Sequence, residues 1–393
     1  MSSWETVVRT SLTDRVRGWA AERPGHVALR WEAGELTYAQ LLARMAQLAN
    51  GLAARGIGEG DRVAILDKNG PRHLELLLGA PLAGAVGAPV NFRLAPREVE
   101  AVLRDSEARL LLAGEEFLEV GERAAAAIDG LELLVLESAG PRGYEAFLAG
   151  APAEDPGRAV DPEDVAAQLY SSGTTGLPKG VELTHANLAA SLAGYGEFAG
   201  FGPESVNLAC LPMFHIGGGG VALAGLYAGI TNRLVRDIVP AQLLDTIEDE
   251  GITHAALVPA VIGFLMQEPG VEQRDFSRWQ SCLYGASAIS PTMLGEAVRL
   301  FGCRFSQGYG LTETTGISVL LPPEDHDPDG PNAHRLRAAG KPIRGMELRI
   351  VRPLTAEPAD TGEIGEIWLR GPNVMRGYFN NPAATAEALP GDG

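Results

Sequence analysis

The segment from Ser171 to Gly180 contains the residue types of a phosphate-binding loop. Hydroxyl side chains and glycines precede a cation, Lys179. Glycine leaves backbone N–H groups accessible and tolerates positive φ angles, so a loop of this composition can wrap closely around an anion. The segment therefore predicts a phosphate site made of the following residues: Ser171, Ser172, Gly173, Thr174, Thr175, Gly176 and Lys179.

This loop differs from the common P-loop of nucleoside triphosphatases, in which glycine directly precedes the lysine. Here Pro178 precedes Lys179 and Gly180 follows it. A flexible surface turn is the simpler alternative, but such turns rarely combine this density of hydroxyl groups with a Pro-Lys-Gly end. The residues therefore favour an anion site of another class.

The segment from Gln307 to Thr314 is a second candidate for ligand binding. Tyr309 offers an aromatic face on which a base can stack. Thr312 offers a hydroxyl group to a phosphate, and Glu313 offers the hard oxygen ligand that Mg²⁺ prefers. The alternatives are a core aromatic at Tyr309 and a solvated carboxylate at Glu313, and the neighbouring phosphate loop favours the ligand roles.

Together the two segments resemble the motifs of the adenylate-forming enzymes, a family that includes acyl-CoA synthetases, peptide-synthetase adenylation domains and luciferases. The stretch Ser-Gly-Thr-Thr-Gly-Leu-Pro-Lys-Gly at residues 172–180 is the most specific part. The resemblance extends from about Trp19 to the C-terminus and is greatest to fatty-acid–CoA ligases. It implies that the chain uses ATP, Mg²⁺ and, as a co-substrate, CoA.

The resemblance also implies roles for matching residues. Tyr309 would stack on adenine, while His215 and its neighbour Phe214 would gate the carboxylate substrate. Without the resemblance, a lone histidine among apolar residues is more often a core residue. The implied catalytic residues are Lys179, Thr312, Glu313 and His215. Further implied contacts to nucleotide or substrate are Gly217, Gly218, Gly285, Ala286, Ser287, Gln307, Gly308, Gly310 and Leu311.

The implied reaction joins a carboxylic acid to AMP and then passes the acyl group to the thiol of CoA. Residues 211–232 contain no carboxylate that could pair with the ammonium of an amino acid, so the acid is expected to lack an α-amino group. A medium- or long-chain fatty acid is the first choice and an aromatic acid the second. The alternatives are a luciferase-like oxidation and a non-catalytic module that binds an acyl group or a nucleotide.

The resemblance implies a ribose-binding aspartate and a small C-terminal domain with the adenylation lysine, and neither has a match in this sequence. The chain is therefore expected to be the large N-terminal domain alone, nearly inactive in the complete reaction. Asp392 lacks the Thr-Gly that precedes the aspartate in the family, so the ribose role is not assigned to it.

Alternating helix and strand signals indicate mostly parallel sheet covered on both faces. The resemblance implies two helix-flanked sheets in αβαβα layers and a small C-terminal β-rich subdomain, a distorted barrel. The predicted subdomains are residues 1–185, 186–322 and 323–393. The motif from Gly377 to Pro382 is interpreted as a structural turn. Predicted elements include strands at 62–66, 165–170, 206–211, 254–258, 281–284, 347–351 and 364–369, and helices at 241–250 and 291–301.

The composition of the 393-residue chain is that of an ordinary globular protein, with 46% hydrophobic and 21% charged residues. A net charge of −18 argues against nucleic acid and anionic membrane surfaces as partners. The three cysteines, Cys210, Cys282 and Cys303, are widely spaced, which indicates small core residues and neither a disulfide framework nor a zinc site. A cytoplasmic location without transmembrane segments is expected, with peripheral membrane contact left open.

Overall fold

The computed structural model describes residues 4–171 and 178–391, which form an α/β fold. The strands are β1 (Val27–Trp31), β2 (Gly34–Thr37), β3 (Arg62–Leu66), β4 (Val86–Pro89), β5 (Ala108–Ala113), β6 (Glu132–Val135), β7 (Val165–Ser171), β8 (Lys179–Thr184), β9 (Val206–Ala209), β10 (Thr231–Leu234), β11 (His254–Leu257), β12 (Ser281–Gly285), β13 (Arg304–Leu311), β14 (Gly316–Leu321), β15 (Lys341–Pro342), β16 (Glu347–Val351), β17 (Glu366–Arg370) and β18 (Gly377–Tyr378). The α-helices are α1 (Trp4–Arg9), α2 (Leu12–Glu22), α3 (Tyr38–Ala54), α4 (Pro71–Gly79), α5 (Pro96–Asp105), α6 (Leu118–Ala127), α7 (Tyr144–Ala149), α8 (His185–Ala199), α9 (Ile216–Ala228), α10 (Pro240–Asp249), α11 (Pro259–Met266), α12 (Pro291–Phe301) and α13 (Pro382–Ala388).

The first sheet has seven strands in the order β18-β8-β7-β4-β3-β5-β6. Five strands, β7, β4, β3, β5 and β6, run parallel to one another. Strand β8 is antiparallel to both of its neighbours, β7 and β18. Ser171 at the end of β7 pairs with Lys179 at the start of β8. The sheet therefore holds the two ends of the predicted phosphate loop side by side.

The second sheet has nine strands in the order β15-β14-β13-β12-β11-β9-β10-β1-β2. Its central strands are parallel, and the pairs β1–β2, β13–β14 and β14–β15 are antiparallel. Strands β1 and β2 come from near the N-terminus but join this sheet through β10. Both large sheets thus contain strands from distant parts of the chain, across the predicted subdomain limits.

Helices separate and cover the two sheets. Helices α3, α4, α8 and α9 pack between the sheets, and their apolar residues share one core with strands of both. Helices α5 and α6 cover the other face of the first sheet, and α10, α11 and α12 cover the other face of the second sheet. These layers confirm the predicted αβαβα architecture.

Short-range signals in the sequence explain where several helices begin. Thr37 and Gln40 form a capping box before α3, in which each side chain accepts a hydrogen bond from the other residue's backbone N–H. Thr184 and Asn187 form the same arrangement before α8. Helix α12 begins at a proline after the capping residue Ser290, because proline at the first position needs no N–H partner.

The C-terminal part contains an antiparallel pair of strands, β16 and β17, in the region where the β-rich subdomain is predicted. The predicted strand at 364–369 instead occupies Glu366–Arg370, and Ile364 lies in the preceding loop, where it is 94% exposed. Strands β15 and β18 from the same region join the two large sheets.

The three cysteines are buried and free, as predicted for small core residues. Burial raises the pKa of the Cys210 thiol to about 12, so it stays protonated near neutral pH. Within residues 4–171 and 178–391, no helix has both the length and the apolar character needed to cross a bilayer.

Candidate active site

A cavity of about 1270 Å³ is lined by residues of both large sheets, of the β16–β17 pair and of helices α8, α9 and α13. Ser171 and Glu313, from motifs 142 residues apart, both line it. The predicted site residues on its wall are Ser171, Lys179, His215, Gly217, Gly218, Gly285, Ala286, Gly308, Gly310, Leu311, Thr312 and Glu313. The fold therefore gathers most of the described site residues around one space.

Four of the predicted site residues that the structure describes do not line the cavity. They are Phe214, Ser287, Gln307 and Tyr309. Phe214 is buried, and its ring packs edge-on against Phe92 with the centroids 5.3 Å apart. Tyr309 lies between two glycines that do line the cavity, and its stacking on adenine stays a prediction. Five predicted phosphate-loop residues lie outside the described part of the chain: Ser172, Gly173, Thr174, Thr175 and Gly176.

Glu313 is the residue at which the two predicted motifs meet. It lies in a short 3-10 helix, Thr312–Thr314. Its Oε1 atom accepts hydrogen bonds from the Ser171 and Tyr378 hydroxyl groups, each at 2.9 Å. In the described part of the chain, no donor contacts the other oxygen, Oε2. Two donors therefore orient the carboxylate, and one oxygen remains open to a cation.

Lys179 brings a positive charge to the same wall of the cavity. Its Nζ atom stands 4.9 Å from the centroid of the Tyr378 ring. None of the carboxylates in the described ranges forms an ion pair with Lys179, so its charge is available to an anionic ligand. Burial, and next the Glu313 charge, raise the pKa of Tyr378, which keeps its hydroxyl protonated as a donor.

Tyr378 was not identified as a site residue from the sequence. The motif around it predicts only a turn, and β18 does pair with β8 through this turn. The sequence gives no sign of its contact with Glu313, because 65 residues separate the two.

Buried hydrogen bonds hold the backbone that follows Glu313. Asn373 is only 2% exposed, and its Nδ2 atom donates to the carbonyl oxygens of Thr314 and Ile317 at 3.0 and 3.2 Å. The Thr315 hydroxyl donates in turn to the Asn373 carbonyl at 2.7 Å. Thr315 has a φ of 53°, which is strained for a β-branched residue and persists only where the surroundings enforce it. Asn373 therefore fixes the turn that presents Glu313.

His215 occupies the N-cap position of α9 without a capping hydrogen bond from its side chain, and it is exposed on the cavity wall. Burial, and next the positive charge of Arg93, lower the pKa of its imidazole. The ring is therefore neutral near pH 7 and can meet a carboxylate as a hydrogen-bond donor without bringing a full charge.

Asn69 holds the segment that leads to His215. This side chain is 5% exposed, and its amide group bonds four backbone groups at once. Its Nδ2 atom donates to three carbonyls at 3.0 to 3.1 Å, and its Oδ1 atom accepts from an N–H group at 2.9 Å. The backbone partners are Cys210, Leu211, Val235 and Met213. No signal in the sequence identified this residue, because all four contacts join distant segments.

Two glycines of the site are required by close backbone packing. A Cβ atom at Gly285 would overlap the carbonyl oxygen of Gly308 on the adjacent strand. A Cβ atom at Gly310 would overlap the carbonyl oxygen of Gly316. Packing between strands is thus a second reason for these glycines, besides the predicted approach of a ligand to the backbone.

The inner part of the cavity is mainly apolar. Its wall there comes from α8, α9, β11, β12 and β14 and includes Leu192, Ile216, Val221, Ala256, Leu283 and Ile317. Ser191 and Tyr195 add hydroxyl groups to this wall. This part of the cavity suits an apolar group rather than a second charged one.

Comparison with known proteins gives consistent results. The sequence profile described as AMP-binding enzyme matches residues 16–379. The chain is 38% identical over 375 residues to a fatty acid–[acyl-carrier-protein] ligase of Streptomyces coeruleorubidus, covering 94% of this chain and 70% of the relative. It is 36% identical over 367 residues to a feruloyl-CoA synthase of Amycolatopsis sp., covering 93% and 71%. The inhibitor-bound N-terminal domain of FACL13 from Mycobacterium tuberculosis superposes with a TM-score of 0.88 at 27% identity, covering 97% of this chain and 94% of that one.

Proposed function

This chain belongs to the AMP-binding enzyme family of adenylate-forming acyl- and aryl-CoA ligases, and from this premise we propose that its cavity converts a carboxylic acid into an acyl-adenylate. ATP supplies the AMP group and pyrophosphate leaves. The observation that carries the proposal is the 2.9 Å hydrogen bond from Ser171 to Glu313. It joins the edge of the phosphate loop to the carboxylate of the second motif across one cavity.

The first step of this reaction brings two anions together. A carboxylate oxygen attacks the α-phosphorus of ATP, and pyrophosphate departs with the electron pair of the broken P–O bond. Such a step requires neutralised charge and a fixed in-line geometry, so no protein nucleophile is needed. Lys179 supplies positive charge on the cavity wall, and the hydroxyl groups of Ser171 and Thr312 supply hydrogen-bond donors.

Glu313 is the proposed protein ligand of Mg²⁺. Its open Oε2 atom suits the cation, because Mg²⁺ in nucleotide sites usually takes one or two protein carboxylates and completes its shell with phosphate oxygens and water. In the described ranges, no group of three or more histidine, cysteine or acidic side chains is arranged to hold a metal by itself. When bound, Mg²⁺ supplies positive charge to the phosphate oxygens.

A medium- or long-chain fatty acid is the proposed substrate. The aliphatic wall of the inner cavity supports this choice, as does the lack of a carboxylate in residues 211–232. The relative from Streptomyces coeruleorubidus is named for a fatty acid. An aromatic acid is the second candidate, because the relative from Amycolatopsis is named for a feruloyl group at nearly the same identity.

The proposed second step transfers the acyl group from AMP to the thiol of CoA. The sulfur attacks the acyl carbon as the thiol loses its proton to solvent, and AMP leaves with the electrons of the broken C–O bond. His215, Gly217 and Gly218 line the cavity at the N-terminus of α9. The N–H groups of His215 and Gly218 donate to the carbonyls of Pro212 and His215, which leaves the Gly217 N–H as the donor without a backbone partner, among the described residues, that is proposed to face the acid carboxylate.

The nucleotide part of the proposal is tested by calorimetric titration with ATP and Mg²⁺. Substituting Lys179→Ala is expected to weaken ATP binding about 10- to 100-fold, because a hydrogen bond to a charged group contributes about 1.5–3 kcal/mol. Lys341→Ala is the matched control, since Lys341 is exposed on β15 and does not line the cavity. Equal affinities of the two variants, or no binding of millimolar ATP to the unaltered chain, would contradict the proposal.

The chemical part is tested by pyrophosphate exchange into ATP with a panel of carboxylic acids. Exchange that depends on the added acid is expected, with decanoate preferred over amino acids. Exchange with amino acids alone would refute the proposed substrate class.

A further inference from the structure

One hydroxyl group in the inner cavity has no hydrogen-bond partner among the residues that the structure describes. Tyr195 on α8 is only 6% exposed and lines the cavity. No protein donor or acceptor contacts its hydroxyl group within the described parts of the chain. A hydroxyl group on a cavity wall that has no protein partner is open to hydrogen bonding with water or with a polar group of a ligand.

The other hydroxyl groups on this wall already have partners. The Ser191 hydroxyl donates to the Thr315 carbonyl at 2.6 Å. The Tyr284 hydroxyl donates to Gln307 at 3.3 Å and contacts the His326 ring at 3.1 Å. On this wall, as far as residues 4–171 and 178–391 show, Tyr195 therefore carries the free hydroxyl.

The Tyr195 ring is held in place by aromatic neighbours. Its centroid lies 5.2 Å from that of Phe198 and 5.5 Å from that of Phe201, both in edge-on arrangements. Burial, and next the Cys282 thiol on β12, raise the pKa of Tyr195, so its hydroxyl is protonated at neutral pH. A protonated tyrosine hydroxyl both donates and accepts a hydrogen bond.

Resting on the proposed function, we propose that Tyr195 recognises a hydroxyl group on the apolar body of the acid, so that the substrate is a hydroxylated carboxylic acid. The surrounding wall is mainly aliphatic, and its other hydroxyl groups, those of Ser191 and Tyr284, already bond protein groups. An unsubstituted acid would leave Tyr195 unpaired inside a filled cavity, and a site with an unpaired polar group discriminates against that ligand. Two classes of acid carry such a hydroxyl group, the hydroxy fatty acids and the hydroxyaryl acids.

Matched pairs of acids test the proposal by calorimetric titration of the full chain in the presence of ATP and Mg²⁺. The pairs are decanoate with 10-hydroxydecanoate, and cinnamate with 4-hydroxycinnamate. In one pair the hydroxylated acid is expected to bind roughly 2- to 10-fold more tightly, the range for one neutral hydrogen bond. The pair that shows the preference identifies the source.

Tyr195→Phe is expected to abolish this preference by weakening only the hydroxylated acid, with an unchanged melting temperature because no protein hydrogen bond is lost. Tyr38→Phe is the control. Its buried hydroxyl donates to the Ile230 carbonyl at 2.9 Å outside the cavity, so this variant is expected to keep the preference.

Equal affinities within both pairs, or a preference that survives Tyr195→Phe, would overturn the inference. A fall in melting temperature for Tyr195→Phe would also count against it, since it would reveal a structural bond. ATP binding without binding of any acid would overturn the inference together with the acid-activation proposal. Titration with ATP alone shows whether the nucleotide site is intact, so a failure of acid binding can be distinguished from a failure of nucleotide binding.

Discussion

The hydroxyl group of Tyr378 offers a sharp test of how the site is built. The substitution Tyr378→Phe removes the 2.9 Å hydrogen bond to Glu313 and keeps the ring beside Lys179. Ser171 still donates to the same carboxylate oxygen, so Glu313 loses one of its two described donors. We expect the carboxylate to be less well oriented for Mg²⁺, while the positive charge at Lys179 keeps its environment.

The expected size of the effect on Mg²⁺ binding follows from how deeply the Tyr378–Glu313 hydrogen bond is buried. A hydrogen bond to a charged group contributes about 1.5–3 kcal/mol, and Tyr378 is only partly buried, so the lower end of about 1.5 kcal/mol applies. This corresponds to about a tenfold higher Mg²⁺ concentration for half-maximal ATP binding. Tyr378→Leu also removes the ring beside Lys179, an interaction of about 0.5–1 kcal/mol, and is expected to weaken metal-free ATP binding as well, by about two- to fivefold.

The assay is calorimetric titration of ATP at a series of Mg²⁺ concentrations. Tyr144→Phe is the matched control, because it removes a hydroxyl-to-carboxylate bond of the same 2.9 Å length, to Glu75, in a core away from the cavity. This control should lower the melting temperature and leave the Mg²⁺ dependence unchanged. The reasoning is refuted if Tyr378→Phe shows the Mg²⁺ dependence of the unaltered chain.

Three further predictions concern stability and the acid site. Both ring nitrogens of His73 are buried and have no hydrogen-bond partner in the described ranges, and burial lowers the pKa of His73 to about 4, whereas the same side chain in the unfolded chain protonates near 6.5. The free energy of unfolding should therefore fall by on the order of 3 kcal/mol as the pH drops through this window, and denaturant titrations should show a smaller fall for His73→Leu. Gly225→Ala places a Cβ atom against the Asn232 amide and should cost about 1–3 kcal/mol of stability, whereas Gly196→Ala, in open space, should not lower the melting temperature. Asn69→Ala breaks four hydrogen bonds and should weaken acid binding more than ATP binding, as separate titrations of the two ligands would show.

Local elements were predictable from the sequence where short-range chemistry decides them. The capping box before α3, strand β3 at residues 62–66 and helix α12 at residues 291–301 have the predicted positions. The partners of distant strands were not predictable. Strand β1 pairs with β10, which joins Leu29 to Asn232, and no local pattern encodes a pairing over such a separation.

The same difference between local motifs and long-range contacts separates the predicted site residues from the unpredicted ones. The motifs predict Lys179, Glu313 and His215 from residue type and order, and all three line the cavity. Tyr378 was not predicted, because its hydrogen bond to Glu313 spans 65 residues and its own motif equally predicts a turn. Asn373 and Asn69 position the backbone through buried amide groups, and an isolated asparagine in a sequence carries no sign of such a role.

The exchange of strands between the two large sheets has a consequence for how the chain is made. The second sheet takes β1 and β2 from near the N-terminus, and the first takes β18 from near the C-terminus. During synthesis, the nascent chain can complete the first sheet only after residue 378 has left the ribosome. Expressed as separate halves, the polypeptide would expose unpaired strand edges that favour aggregation, so we expect refolding to be slow and to succeed only with the intact chain.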